Sequence, residues 1–222
     1  MSTEDIVVAA TERLFNQKDL SAVDDLFGPV YVQHSALAPD GVDGLRGLVS
    51  RLTEANGYEL VRVLADGDLA ITEGVFTGFA PVPLAGYDVW RVEDGRIVEH
   101  WDALGPLAGA SVSTNAAPDA AADTDANRSL VSTWVREALI GGAAEARSDS
   151  VASDLRLTEG VVYSALHTVI AEGDLVYTRS EGVAETPVIV NDVWRVADGR
   201  IVEHWGLVVP VPPSLPHGNG SF

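Results

Sequence analysis

The chain has 222 residues, 33 of them acidic and 14 basic, for a formal net charge of −19; this argues against a nucleic-acid surface, which needs clustered Lys and Arg to displace counterions, and against docking on anionic lipid. Cysteine is absent, which excludes disulfides, thiolate nucleophiles, Cys-based zinc sites and iron–sulfur clusters. Hydrophobic residues make up 46% and charged ones 21%, a balance that suits a globular protein, and the length has room for two domains of roughly 100 residues.

The first fifteen residues, MSTEDIVVAATERLF, read as a helix. Ser2 or Thr3 can cap it, Glu4 and Asp5 occupy the first turn, and Ile6, Ala10 and Leu14 recur on one face. The segment has no basic region followed by an apolar one, so it is not a signal peptide, and no run approaches ~18 apolar residues; a cytoplasmic setting is expected. A second short helix is expected over Leu20–Phe27, then a strand through Tyr31 and His34, then a third helix over Leu45–Leu52. Asp66-Gly67 and Asp94-Gly95 read as hairpin turns between β-branched and aromatic runs. Gly105–Asp125 is rich in Ala, Ser, Thr, Asp and Pro and reads mostly as a linker, its two prolines opposing one continuous helix. A further helix follows, with Asn127 as its cap and Leu130, Val131, Trp134, Val135 and Ala138 as its apolar stripe. A weaker helix is expected around Ala143–Ser148, and hairpin turns at Glu172-Gly173 and Asp198-Gly199.

The order repeats. Asp88–Trp101 and Asp192–Trp205 differ at one position of fourteen, Glu93 against Ala197. Leu64–Leu69 matches Ile170–Leu175, and Glu73-Gly74-Val75 matches Glu181-Gly182-Val183. Two copies at a period near 104 make a tandem duplication and not a solenoid. Each copy reads as an α+β unit, helices packed on one face of a curved antiparallel sheet. Copy one carries about 18 residues more between its first two strands: Tyr31 to Asp66 is 35 steps, Leu155 to Glu172 is 17. The expected division is 1–107 for the complete copy, 108–125 for the linker, 126–213 for the shortened copy and 214–222 for a tail.

Gln33-His34-Ser35-Ala36, followed by Pro39-Asp40-Gly41 and Gly44-Leu45, resembles the corresponding segment of SnoaL-like proteins. Arg91–Asp102 resembles the closing strands of that family, and Gly218–Phe222 its ending. The resemblance implies two tandem cone-shaped α+β barrels of the nuclear-transport-factor-2-like superfamily, the second shortened, each barrel built around a deep apolar pocket. It implies a cofactor-independent cyclase or isomerase acting on a hydrophobic polyketide-like or terpenoid-like molecule. Relatives that hydrolyse epoxides supply one alternative, and non-catalytic small-molecule binders another. Members of the family commonly pair sheet to sheet, so an intramolecular pseudo-dimer and a monomeric chain are expected.

Asp102 is the first candidate for chemistry. A carboxylate in an apolar pocket has its charged form destabilised, which makes it a usable acid or base near neutral pH. The resemblance implies that role. Copy two has Gly206 at the matching position, although a strand-end Asp can equally cap a turn. His34 is the second, as the group that orients or polarises a substrate oxygen; a half-exposed histidine at a strand mouth is the bland alternative. Strand alternation puts Val98, His100 and Asp102 on one face of the last strand and Ile97, Glu99 and Trp101 on the other. His100, Asp88 and Trp90 recur as His204, Asp192 and Trp194, which favours packing roles, but they are kept as substrate-binding candidates. Tyr31, Tyr58, Phe76, Phe79 and Tyr87 supply aromatic surface for a pocket. Arg62 could pair with an acid inside the barrel or sit on a solvated strand face. No phosphate-binding glycine loop, His-x-x-x-His pair or GxSxG elbow occurs, so neither a cofactor nor a metal is expected.

Overall fold

The computed structural model describes residues 1–110, 117–143 and 145–222. The chain divides into two compact units. Unit 1 is Met1–Ala108 with Pro212–Phe222, and unit 2 is Gly109–Val211. The segment expected as a separate tail therefore folds with copy one, and unit 2 is inserted between the last strand of copy one and its own ending.

Unit 1 begins with α1 (Thr3–Thr11), continued by a π-helical turn, Glu12–Asn16. Ser2 closes a capping box: its hydroxyl accepts from Asp5 N–H, and the Asp5 carboxylate accepts from Ser2 N–H, satisfying amides with no partner inside the helix. α2 (Ser21–Leu26) leads into β1 (Phe27–Gln33). α3 spans Gly41–Val49, four residues earlier at its start than expected. It begins at Gly41, whose φ is +77°. Gly44 permits the close start, since a Cβ there would lie 2.0 Å from the Pro39 carbonyl oxygen. The sheet is completed by β2 (Gly57–Asp66), β3 (Leu69–Thr77), β4 (Leu84–Glu93) and β5 (Arg96–Pro106). Its order is β1-β5-β4-β3-β2, with β1 parallel to β5 and the other pairs antiparallel.

The helices cover one face of this sheet. Ile6, Val7 and Ala10 of α1 and Leu14 of the π-helical turn meet Ala70, Trp90, Val92 and Ile97 in one buried cluster. The expected alternation along β5 fails at one residue. Arg91 pairs with Glu99 but Val92 pairs with Ile97, so Val98 is an extra, bulged residue. The bulge brings Ile97 to the helix side with His100 and Asp102, against the expectation that it faces away.

Unit 2 repeats the plan with less. Its helix α4 (Thr124–Thr133) is capped by Asp123, whose side chain accepts from Ala126 N–H, and continues as a π-helical turn, Trp134–Ile140. Asn127, the expected cap, lies inside the helix; its amide donates to the Gly173 carbonyl, while a carboxylate at the helix start gains from the helix dipole. The weaker helix is a 3-10 turn, Glu145–Ser150, and residue 144 of the expected span lies outside the described residues. The strands β6 (Val162–Glu172), β7 (Leu175–Val183), β8 (Pro187–Ala197) and β9 (Arg200–Pro210) form an antiparallel meander. β1 has shrunk to one parallel bridge, Val151 to Ile201, where unit 1 pairs Phe27 with Ile97.

The register corrects one repeat match. Thr72 pairs with Asp88, and Thr178 with Asp192, so Glu73 corresponds to Arg179 and Val75 to Glu181. The Glu-Gly-Val triplets are two residues out of step. Of the expected linker, Gly105 and Pro106 end β5, residues 111–116 lie outside the described residues, and Asp119 N–H donates to Asp174 on the β6–β7 turn.

Candidate active site

The inner, helix-covered face of the unit 1 sheet encloses a cavity. Its apolar wall comes from Phe15, Leu37, Leu45, Leu48, Phe76, Phe79 and Leu104. Trp90 closes the base, its Nε1–H donating to Thr72 Oγ1. The polar groups are Tyr31, Gln33, Ser35, Asp88, His100 and Asp102. Two glycines facing each other across β3 and β4, Gly74 and Gly86, make room for the Tyr58 and Phe76 rings. A Cβ on Gly74 would lie 2.3 Å from the Tyr58 ring, and one on Gly86 2.4 Å from the Phe76 ring. The space, open mouth included, is about 410 Å³.

The hydrogen bonds fix most of the polar orientations. Ser35 N–H donates to Gln33 Oε1 at 3.0 Å. A backbone amide can only donate, so that atom is the Gln33 carbonyl oxygen, and its NH₂ faces the Tyr31 hydroxyl at 3.0 Å. His100 Nδ1 lies 2.9 Å from the same carbonyl oxygen and must therefore carry a hydrogen. His100 Nε2 faces Asp88 Oδ1 at 3.1 Å, and one further proton must lie between them. The pair thus holds a proton within the cavity, and the imidazole lies against Trp90 with ring centroids 4.1 Å apart. Asp88 and Asp102 are direct cross-strand partners, so two carboxylates share one face. Asp102 Oδ2 accepts from the Ser35 hydroxyl at 2.6 Å, and Ser35 Oγ accepts from Leu37 N–H. Burial, and next the charge of Asp102, raise the Tyr31 hydroxyl well above the usual tyrosine range.

Of the residues singled out by sequence, Tyr31, Asp88, Trp90, His100 and Asp102 meet in this cavity. His34, Arg62 and Tyr87 do not. His34 directly follows the last residue of β1, Gln33, and points to the opposite face, as alternation requires. There it stacks on Trp101 at 4.7 Å, its Nε2 3.0 Å from Glu99 and its Nδ1 3.0 Å from the Gly220 carbonyl. Arg62 and Tyr87 also belong to the opposite face, where Arg62 donates to Glu73 at 2.5 Å and the Tyr87 hydroxyl to the same carboxylate at 3.1 Å. Gln33 and Ser35 are the functional candidates that sequence reasoning passed over. Gln33 carried a usable signal, since it stands two residues beyond the aromatic Tyr31 on one strand. Among the described residues no group of three or more metal-binding side chains occurs.

Unit 2 keeps the acid–imidazole pair. His204 Nε2 lies 2.8 Å from Asp192 Oδ1, and Nδ1 donates to the Arg156 carbonyl. Tyr163, at the pairing position of Tyr58, donates its hydroxyl to Asp192 Oδ2 at 3.0 Å. The residue matching Asp102 is Gly206, where a Cβ would lie 2.0 Å from the Asn191 carbonyl oxygen. Glycine there answers to the backbone as well as to the loss of an acid.

An α+β sheet folded over a helix-lined cavity with two facing carboxylates defines the class of protein. The family described as "SnoaL-like domain" matches residues 7–100, and unit 2 repeats the plan of that stretch in shortened form. No curated protein matches the chain. Among solved structures, a SnoaL-like polyketide cyclase from Agrobacterium tumefaciens shares 15% identity, covers 49% of this chain and 94% of its own, with a TM-score of 0.42. TsrD from Streptomyces laurentii shares 19% identity over 46% of this chain and 87% of its own, with a TM-score of 0.39. An NTF-2 like protein of unknown function from Burkholderia xenovorans shares 17% identity over 51% and 88%, with a TM-score of 0.42. No helix among the described residues is long and apolar enough to cross a membrane.

Proposed function

We propose that unit 1 is a cofactor-independent acid/base enzyme, a cyclase or isomerase for a hydrophobic polyketide-like or terpenoid-like molecule, with Asp102 moving the proton. The observation that carries the reading is the pairing of Asp102 with Asp88 across β4 and β5 inside a cavity with an apolar wall. An apolar wall disfavours the charged form of a carboxylate it encloses. The proton held between Asp88 and His100 keeps that pair neutral overall, so Asp102 is left as the group that exchanges a proton with a ligand. Ring closure or double-bond migration then follows from holding the substrate in a reactive fold beside that acid. Epoxide opening would need an arginine beside the two acids, and Arg62 is engaged with Glu73 on the other face.

The test is proton exchange. The purified protein is incubated in D₂O with a panel of enolisable cyclic ketones, and deuterium uptake at the α-carbon is followed by NMR beside the Asp102→Asn variant. The wild type should catalyse exchange on at least one member, and the variant should lose about 10²–10⁴-fold. Equal rates in both, or no catalysed exchange by the wild type, would overturn the proposal.

A further inference from the structure

We infer that the segment His217–Phe222 is a strap that holds the mouth of the cavity shut, with His34 as its anchor, so that a ligand enters when the strap lets go. The inference concerns access to the cavity and goes beyond the proton chemistry proposed above. It gives His34 a role on the face where the structure puts it.

Leu37 marks the mouth. It lines the cavity yet is 46% exposed, more than any other lining residue. It belongs to the irregular stretch between β1 and α3, where strand pairing has stopped. The sheet holds this stretch at its start, through His34 N–H to the His100 carbonyl at 2.9 Å. Further along, residues 217–220 take over. Asn219 Nδ2 donates to the Gln33 backbone carbonyl at 2.9 Å and to Asp40 Oδ1 at 2.8 Å, and so clasps both ends of the stretch at once. Between them, His217 Nε2 lies 2.9 Å from the Ser35 backbone carbonyl. His34 returns the grip. Its Nδ1 lies 3.0 Å from the Gly220 carbonyl, which can only accept, so that nitrogen carries a hydrogen. The imidazole is fixed by stacking on Trp101 at 4.7 Å and by Glu99, 3.0 Å from Nε2. Ser221, next in the chain, is buried.

The strap is held by hydrogen bonds between part-buried or exposed groups. Water can replace each of them, so each adds little net, and the strap can peel while the sheet stays folded. Pro212, Pro213 and Pro216 fix φ along the run-up, which limits how far a released strap can stray. Once it lets go, Ser35 and Leu37 lose what ties their stretch down and can swing out of the cavity wall.

The test reads access and needs no ligand. Because the chain has no cysteine, one introduced thiol reports its own exposure. Leu45→Cys puts it on the cavity wall. Ala70→Cys puts it in the buried cluster behind the sheet, where only wider unfolding uncovers it. Each thiol is reacted with dithiobis(nitrobenzoate), in the otherwise unaltered chain and in one carrying Asn219→Ala and His34→Phe. That pair removes three strap hydrogen bonds and keeps a ring on Trp101. The Leu45→Cys thiol should react about 10- to 100-fold faster in the strap variant, since each lost bond is worth a few-fold in the opening equilibrium. The Ala70→Cys thiol should keep its rate. An unchanged rate at Leu45→Cys would overturn the inference. So would equal acceleration at Ala70→Cys, which means general loosening, or a Leu45→Cys thiol that reacts like a free thiol with the strap intact. Labelling involves no proton transfer by Asp102, so a failed ketone-exchange test leaves the strap standing, and a failed labelling test leaves the acid/base reading standing.

Discussion

The Ser35 hydroxyl donates a 2.6 Å hydrogen bond to Asp102 Oδ2, tying the loop after β1 to the acid on β5. Ser35 is itself held at both ends, by Gln33 Oε1 through its N–H and by Leu37 N–H through its oxygen. The carboxylate is thus aimed by a side chain that the backbone holds still.

Ser35→Ala should therefore cost more in rate than in fold. Loss of one hydrogen bond lowers stability by about 1 kcal/mol. An Asp102 free to rotate should slow exchange about tenfold, equivalent to ~1.4 kcal/mol in the barrier. Ser35→Thr keeps the hydroxyl and should recover most of the rate. Melting curves and the ketone-exchange assay separate the two effects; a Ser35→Ala enzyme at wild-type speed would remove Ser35 from the site.

Restoring the missing acid to unit 2 should fail as an engineering step. Gly206→Asp places a Cβ 2.0 Å from the Asn191 carbonyl oxygen, a backbone atom that cannot swing away. Overpacking of this kind costs about 1–3 kcal/mol or more. Urea denaturation should show a lowered midpoint for Gly206→Asp, and Gly206→Ala should be nearly as costly because the clash is at Cβ. An Ala variant as stable as the wild type would show that the strand relaxes.

What the sequence made legible was local. The stripe Ile6, Ala10, Leu14 and the four Asp/Glu-Gly turns follow from periodicity and turn chemistry, which need no tertiary partner. The choice between His34 and Gln33 did need one. Alternation separates them, but only the packing of α1 and α3 decides which face is the cavity. The bulge at Val98 likewise has no sequence mark, and it moved Ile97 to the other face. The Glu-Gly-Val match failed because three residues recur easily, whereas the hydrogen-bond register is set by the whole hairpin. Ser35 carried no mark of its own in the sequence, since its role arises from Asp102, 67 residues away.

The tail gives a third prediction. Asn219 Nδ2 donates to the Gln33 backbone carbonyl at 2.9 Å and to Asp40 Oδ1 at 2.8 Å, and His217 Nε2 lies 2.9 Å from the Ser35 backbone carbonyl. These contacts hold the segment that carries Gln33, Ser35 and Leu37 to the cavity. Asn219→Ala should cost about 1–2 kcal/mol, since two hydrogen bonds are lost and one acceptor is half-buried. Amide exchange between residues 33 and 40 should accelerate, while amides in the core of β4 hold their protection. Unchanged exchange in that segment would show that the tail adds nothing to its order.

Unit 2 offers a pH test. Burial lowers the His204 pKa, but the hydrogen bond to Asp192 and its charge more than reverse this, so the group stands above its ordinary value of 6.5. A histidine raised on folding lends stability that is fully present below about pH 6.5 and is lost as the pH climbs through the raised value. The side chain is 3% exposed, so solvent screening is slight. Asp192→Asn should therefore destabilise the protein most at pH 6, by about 2 kcal/mol for a hydrogen bond to a charged group. The gap to wild type should narrow toward pH 9. It should not close, because Tyr163 also loses its carboxylate acceptor at every pH. Urea midpoints of the two proteins between pH 6 and 9 measure this directly. A gap that stays constant, or widens with pH, would mean that the histidine is neutral in the folded state.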